Sequence, residues 1–228
     1  YVNYARIPKQ ERKTEAVEYL IKASKRGFSE SMLEYGMLLV NGDIEIRMNA
    51  KEGSKYVRNA AFIGNIDAFG RYERLLVEGN GVETDIEEGI KYLKKGIEKG
   101  NSIAMHNYAR ILENGQGVPV DYKEAIKYYK MAIDKGNTDS MNNYARMLKY
   151  GLGVPVDYNE AIKYYKMAID KGNDYAMNGY AFMLQYGQGV PVDYKEAIKY
   201  YKMAIDKGNT ASMNNYARML KYGLGVPV

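Results

Sequence analysis

The sequence predicts an all-α protein, an α/α superhelical solenoid of antiparallel helix pairs with a 36-residue period, and three observations carry that expectation. Gly100, Gly136, Gly172 and Gly208 stand 36 residues apart, and the register runs back to Gly64. The stretch VPVDYKEAIKYYKMAIDKGN fills 118–137, returns letter for letter at 190–209, and returns at 154–173 with one change, at Asn159. Apolar residues inside each unit recur at helical spacing between capping and breaking residues. A single reacting centre gives each surrounding residue its own job and has little use for such copying. A stack of units that bury their faces on one another does.

In chain order, residues 10–26 predict a helix that matches the second helix of a unit and lacks a full partner. The units within 1–64 are divergent: Asn41-Gly-Asp-Ile replaces the turn found later, and Gly53 weakens a helix that elsewhere carries Ala. Gly89 and Gly96 do the same further on, each at about 1 kcal/mol relative to Ala. The units over 65–228 are regular, and 137–172 shows their plan. A first helix, about Thr138 to Lys149, turns Ser140, Met141, Tyr144, Ala145 and Leu148 inward and leaves Asn142, Arg146 and Lys149 outside, flanked by Asn143 and Tyr150. Gly151-Leu-Gly153-Val-Pro155 breaks it.

A second helix opens at Asp157-Tyr-Asn-Glu160, a capping-box pattern repeated at Asp85/Glu88, Asp121/Glu124 and Asp193/Glu196. It closes at Gly172, with Lys171 complementing the negative end of the helix dipole. Ala161, Ile162, Tyr165, Ala168 and Ile169 share one face, and Tyr164 and Met167 another, so the helix has two neighbours. Lys163, Lys166 and Asp170 face water. The count is about five hairpins with unpaired pieces at both ends, forming one solenoid over 1–228. Because the chain begins at Tyr1 and stops at Val228, where earlier copies continue with Asp-Tyr, the sequence reads as a piece of a longer array.

Composition sorts the function classes. The net charge of +5 comes from 33 basic and 28 acidic residues that interleave along the chain, so the clustered basic face a phosphate backbone requires is missing and nucleic acid is not an expected partner. Without cysteine there is no disulfide framework and no thiolate zinc site. No apolar run approaches the roughly 18 residues of a membrane span, so no direct membrane insertion is expected. No signal peptide opens the chain and no Asn-x-Ser/Thr sequon occurs, which points to a cytoplasmic location.

The pattern Ala/Ser-Met-x-x-Tyr-Ala-x-x-Leu, then Gly-x-Gly-Val, then Asp-Tyr-x-Glu-Ala-Ile-x-Tyr-Tyr-x-x-Ala-x-x-x-Gly, resembles the Sel-one-like repeat (SLR) family, a relative of the tetratricopeptide repeat. The resemblance is strong over 65–228 and weaker over 10–64. It implies a right-handed superhelix whose first helices line a concave side and which serves as a scaffold or adaptor. Two departures stand out: Tyr144-Ala145 occupies the place of the usual Leu-Gly, and the cysteines of the disulfide-bonded bacterial branch are absent.

No catalytic residue, metal ligand or cofactor is expected. His106, the lone histidine, is read as a polar residue on the outer side of a first helix. The Gly-x-Gly turns lack the strand, third Gly and Lys of a phosphate loop. The Tyr pairs Tyr128/Tyr129, Tyr164/Tyr165 and Tyr200/Tyr201 fall between layers. The candidate partner-binding residues form a ladder on the first helices: Asn107 and Arg110; Asn142, Asn143, Arg146 and Lys149; Asn178, Phe182 and Gln185; Asn214, Arg218 and Lys221. His106 and Asn215 complete its rows. Asn amides pair with the backbone of an extended peptide, and Arg and Lys hold acidic groups. Phe182 replaces Arg at an outward position and asks for a cover. The expected function is a non-catalytic protein–protein interaction scaffold or adaptor that binds peptide or protein segments on the concave face of the repeat superhelix, in isolation or as a member of a larger complex. The alternatives are the regulatory array of a larger enzyme such as a signalling kinase, and a structural subunit of a large assembly.

Overall fold

The structure is a computed structural model that describes residues 9–42 and 46–225, with side chains from residue 14 onward. Among these residues there are twelve helices and no strand: α1 (Lys9–Lys25), α2 (Ser29–Asn41), α3 (Ala50–Phe62), α4 (Ile66–Glu78), α5 (Ile86–Glu98), α6 (Ser102–Asn114), α7 (Tyr122–Asp134), α8 (Thr138–Tyr150), α9 (Tyr158–Asp170), α10 (Asp174–Tyr186), α11 (Tyr194–Asp206) and α12 (Thr210–Lys221). The chain divides into two compact units, 1–108 and 109–228, with the division inside α6. Within each, helices pack on their neighbours in chain order. By sequence the helices form five first-and-second pairs, from α2–α3 to α10–α11, with α1 and α12 left over. The Asp43-Ile44 part of the divergent early turn lies outside the described residues.

Local chemistry makes the pairs. Asp85, Asp121, Asp157 and Asp193 each accept the backbone N–H of the glutamate three residues on, at 2.9 Å. The glutamates differ from the capping-box expectation. Glu124, Glu160 and Glu196 accept from Lys127, Lys163 and Lys199 one turn further on, at 2.8, 2.9 and 2.7 Å. A first-turn carboxylate with Lys at i+3 has a charged donor within reach, and that partner wins over the backbone N–H behind it.

At the other end of α9, Asn173 N–H bonds Ala168 C=O at 3.0 Å and Gly172 N–H bonds Ile169 C=O at 2.8 Å, with Gly172 at φ +83°. This is a Schellman closure. Asn173 then opens α10, its Oδ1 accepting from Ala176 N–H at 2.8 Å. The residue that finishes one helix starts the next, so the link is only Lys171 to Asn173 and the chain folds straight back. Asn65, Asn101, Asn137 and Asn209 cap their helices in the same way. Amide nitrogens in this set also reach the preceding repeat: Asn101 donates to Asp67 at 3.3 Å, Asn173 to Asp139 at 2.8 Å and Asn209 to Asp174 at 2.9 Å.

Packing explains the glycines of the early units. A Cβ on Gly53 would lie 2.5 Å from Gly36 O, and one on Gly96 would lie 2.8 Å from the Ala104 Cβ. Gly53 and Gly96 therefore do more than weaken helices, which corrects the sequence-based expectation. They let α3 lie against α2, and α5 against α4 and α6, closer than Ala permits. Gly89 faces the larger Glu73. In unit 2 the same two columns hold Ala145 with Ala161 and Ala181 with Ala197, all fully buried.

Four pairs also carry an edge-to-face tyrosine contact: Tyr35 with Tyr56 at 5.0 Å, Tyr72 with Tyr92 at 4.8 Å, Tyr144 with Tyr164 at 4.9 Å and Tyr180 with Tyr200 at 5.0 Å between centroids. Such pairs contribute about 0.5–1.5 kcal/mol beyond their area. Met147 and Met183, between the expected inward positions, are fully buried too, whereas Met167 is exposed.

Candidate functional site

The first helices place the ladder where successive repeats meet, so most of its polar groups are taken by neighbours inside the chain. In unit 1, Asn107 Nδ2 donates to Gly70 O at 3.2 Å and to Glu73 Oε2 at 3.0 Å. His106, expected outside, is buried. At the same position of α10, Asn178 accepts from Ser212 Oγ and Asn215 Nδ2 of α12, both at 3.0 Å.

Unit 2 contains three rungs built at equivalent positions. In the first, Glu113 accepts from the Tyr129 hydroxyl at 2.7 Å and from the Arg146 guanidinium, while Asn143 Nδ2 donates to the same hydroxyl at 3.2 Å. The Glu113 side chain is 4% exposed and that of Arg146 41%. Burying a carboxylate is costly unless a cation and further donors accompany it, and here both do. Asn142 donates to Asn143 at 3.3 Å.

In the second rung Lys149 replaces Glu113, Phe182 replaces Arg146 and Gly179 replaces Asn143. Lys149, read as outer, is buried. Its ammonium lies 4.2 Å from the Phe182 ring centroid and 4.4 Å from that of Tyr150. Phe182 also packs on Tyr186 at 4.4 Å, so part of the cover its ring asks for comes from within the chain and the ring stays half-exposed. In the third rung Gln185, likewise buried, accepts from the Tyr201 hydroxyl at 2.8 Å. Asn214, Arg218 and Lys221 on α12 are exposed, as is Arg110 on α6.

Gly179 has a specific reason. A Cβ there would lie 2.6 Å from Tyr165 Cε1. Gly179→Asn installs the residue found in both neighbouring rungs, yet it should destabilise the chain by about 2 kcal/mol through overpacking, as read by chemical denaturation. An unchanged midpoint would show that Tyr165 does not fill that space.

The rung tyrosines titrate abnormally. Burial, then the Glu113 carboxylate, pushes the Tyr129 phenol up; burial does the same to Tyr165 and Tyr201. Their folded values lie above the unfolded value near 10, so their contribution to stability is complete below about pH 10. Above it the unfolded chain alone sheds protons, and the contribution is lost. In an alkaline titration followed by phenolate absorbance and circular dichroism, Tyr129, Tyr165 and Tyr201 should ionise only as helix is lost. Ionisation of all 24 near pH 10 with helix intact would contradict the buried rungs.

Two clefts lie in unit 1. One, of about 640 Å³, carries Lys25, Lys51, Lys55 and Glu52 on its walls; the other, of about 370 Å³, has Leu33 and Met37 beside Glu34, Asp67 and Arg71. Neither includes a ladder residue. Among the described residues no group of three or more His, Asp or Glu is placed to hold a metal ion, and no helix is long and apolar enough to cross a membrane.

What remains facing outward in unit 2 is a narrower column than the sequence suggested. Arg110, Arg146, Phe182 and Arg218 occupy one position on successive first helices. The exposed tyrosines Tyr150, Tyr186 and Tyr222 stand one turn beyond the last three. Sequence reasoning marks Tyr150 only as a flank; the recurrence of Tyr before Gly at 150, 186 and 222 is the signal for this aromatic edge.

The Sel1 repeat family model matches residues 7–28, 71–101, 102–137, 138–173, 174–209 and 210–228. Among solved structures, a Sel1 repeat protein from Oxalobacter formigenes is similar at 28% identity and TM-score 0.82, over 93% of this chain and 86% of that one. The c5321 protective antigen of uropathogenic Escherichia coli strains is similar at 24% identity and TM-score 0.72, over 93% of this chain and 45% of its own. A putative sel1 repeat protein from Klebsiella pneumoniae follows at 18% identity and TM-score 0.61, over 88% and 97%. The last two likenesses show the fold alone. A comparison with curated proteins found no match.

Proposed function

The chain belongs to the Sel1 repeat family, whose repeats generally serve as protein-interaction scaffolds, and from that premise we propose that it is a non-catalytic scaffold that binds an acidic protein segment along the first helices of unit 2. The observation that carries the reading is the outward column Arg110, Arg146, Phe182 and Arg218 with its edge of exposed tyrosines. The Glu113 carboxylate beside the column is buried and already paired with Arg146, while Arg110 and Arg218 bring exposed positive charge. An extended segment with carboxylates near Arg110 and Arg218 and an apolar residue on Phe182 and Tyr186 fits that chemistry.

Asn107, Asn143, Lys149, Asn178 and Gln185 act in this proposal as fasteners between repeats. Asn142, Asn214 and Lys221 flank the column and add polar contacts at its rim. The triple variant Arg110→Ala, Phe182→Ala, Arg218→Ala should lower the affinity of a bound partner roughly tenfold or more, with charge-dependent loss at raised salt. Unchanged affinity removes the reading.

A further inference from the structure

The cleft of about 370 Å³ between α2 and α4 lies wholly within unit 1 and holds no ladder residue, yet it is built from the ladder's own positions. The edge-to-face contacts Tyr35–Tyr56 and Tyr72–Tyr92 fix the register, with Tyr35 and Tyr72 at equivalent places on their helices. Met37 and Arg74 then stand at the position of Arg110, and Glu34 and Arg71 at that of Asn107. Asn107 fastens α6 to Gly70 and Glu73 of α4. Arg71, in its place on α4, is exposed and lines the opening.

The floor is apolar. Leu33, Met37 and Leu38 are half-buried, and the first two pack on the buried cluster of Val40, Val57, Tyr72, Leu75 and Leu76. The core beneath therefore holds the floor in place while its upper side stays open to water. The volume is at the lower end of the roughly 300–1,000 Å³ that ligand clefts span, which suits inserted side chains. Met37 adds an unbranched, polarizable thioether that adapts to apolar groups of different shape.

The walls are acidic. Glu30 and Glu34 stand one turn apart on α2 and Asp67 stands on α4, all three exposed, against the single guanidinium of Arg71. Glu30 accepts from Ser29 Oγ at 3.0 Å and Asp67 from Asn101 Nδ2 at 3.3 Å. These donors are neutral and leave both charges in place. Arg74, at the column position, is paired with Glu78 of its own helix at 2.7 Å.

We propose that this cleft is a second docking site, which takes a basic segment of another protein: a large apolar side chain seats on Leu33, Met37 and Leu38, and Lys or Arg reaches Glu34 on one wall and Asp67 on the other. Charge complementarity selects that occupant. An anionic partner, nucleic acid included, would meet carboxylates on both walls, and an uncharged apolar segment would cover those carboxylates without pairing them. The site is independent of the arginine column in unit 2 and of the acidic segment assigned to it.

A library of random dodecapeptides displayed on beads and probed with the 228-residue chain tests this. The wild type should select peptides in which Lys or Arg stands close in sequence to Leu, Ile, Met or Phe. For a selected peptide, Glu34→Lys should weaken binding about tenfold, and added salt should weaken the wild-type complex. Met37→Gln should weaken it comparably, through the floor. Glu34 is exposed, so unchanged thermal unfolding of Glu34→Lys verifies that the fold is intact. The Arg110→Ala, Phe182→Ala, Arg218→Ala variant should bind these peptides as the wild type does, which separates this site from the column. Changing the peptide's basic residues to Glu should invert the preference, so that Glu34→Lys binds more tightly than the wild type. The proposal is overturned by a wild type that selects no such peptide, by Glu34→Lys binding as tightly as the wild type, by a preference that does not invert, or by loss of the same peptides from the column variant. Self-association of the wild type that Glu34→Lys abolishes also overturns it, because the occupant is then a second copy.

Discussion

Gly153→Ala should destabilise the chain by about 3 kcal/mol, one of the largest effects of a single methyl group anywhere in it. Two costs combine. Gly153 holds φ +73°, a left-handed conformation that costs an L-residue about 1–2 kcal/mol. A Cβ there would also lie 2.5 Å from Tyr122 Cβ and 3.1 Å from the Tyr122 carbonyl carbon, at the start of the preceding second helix. The second Gly of the turn is therefore a contact between repeats, and Gly189 and Gly225 repeat it against Tyr158 and Tyr194. Gly136→Ala is the internal control. Gly136 has φ +83°, but an added Cβ there would meet nothing within 4 Å, so only the conformational cost of about 1 kcal/mol applies. Equal denaturation midpoints for the two variants would show that the turn does not touch the neighbouring helix.

Arg146→Ala should cost about 2 kcal/mol, because it leaves the buried Glu113 carboxylate without its cation. The figure sits below that of a wholly buried pair, since water reaches the half-exposed guanidinium. The same change in a Glu113→Gln background should cost about 1 kcal/mol or less. Gln185 in the third rung shows that a neutral amide satisfies the tyrosine hydroxyl in this position. A double-mutant cycle by chemical denaturation reads the difference as a coupling energy between positions 113 and 146. Additive effects would mean that the carboxylate and guanidinium do not depend on one another.

Much of the fold is legible because its determinants are local. Asp157 as a cap, Gly172 as a closure and Gly151 to Pro155 as a break each act over one turn of chain, and the 36-residue spacing repeats them. What stayed hidden depends on contacts between repeats or between helices. Gly53 looks like a weak helix residue until Gly36 is found against it. Asn173 looks like an ordinary loop residue until it closes one helix, opens the next and reaches Asp139.

The ladder shows the limit most clearly. A polar residue on the outer phase of a first helix has the same periodicity whether it meets water or the neighbouring repeat. Lys149 and Gln185 consequently read as surface although they are buried. The repeats themselves hold the missing signal. Positions 113, 146 and 143 change together, from Glu, Arg and Asn to Lys, Phe and Gly at 149, 182 and 179. An ion pair becomes a cation over rings, and the lost Asn makes room for Tyr165.

The scaffold proposal is tested most directly by affinity capture from lysate of the source cells, comparing three baits by mass spectrometry. These are the wild-type chain, the Arg110→Ala, Phe182→Ala, Arg218→Ala variant, and a Gln185→Ala variant that alters a fastener and leaves the outward column in place. A protein retained by the wild type and by Gln185→Ala but lost from the column variant is the predicted result. The same proteins on all three baits would contradict it, and the column would then be solvated surface.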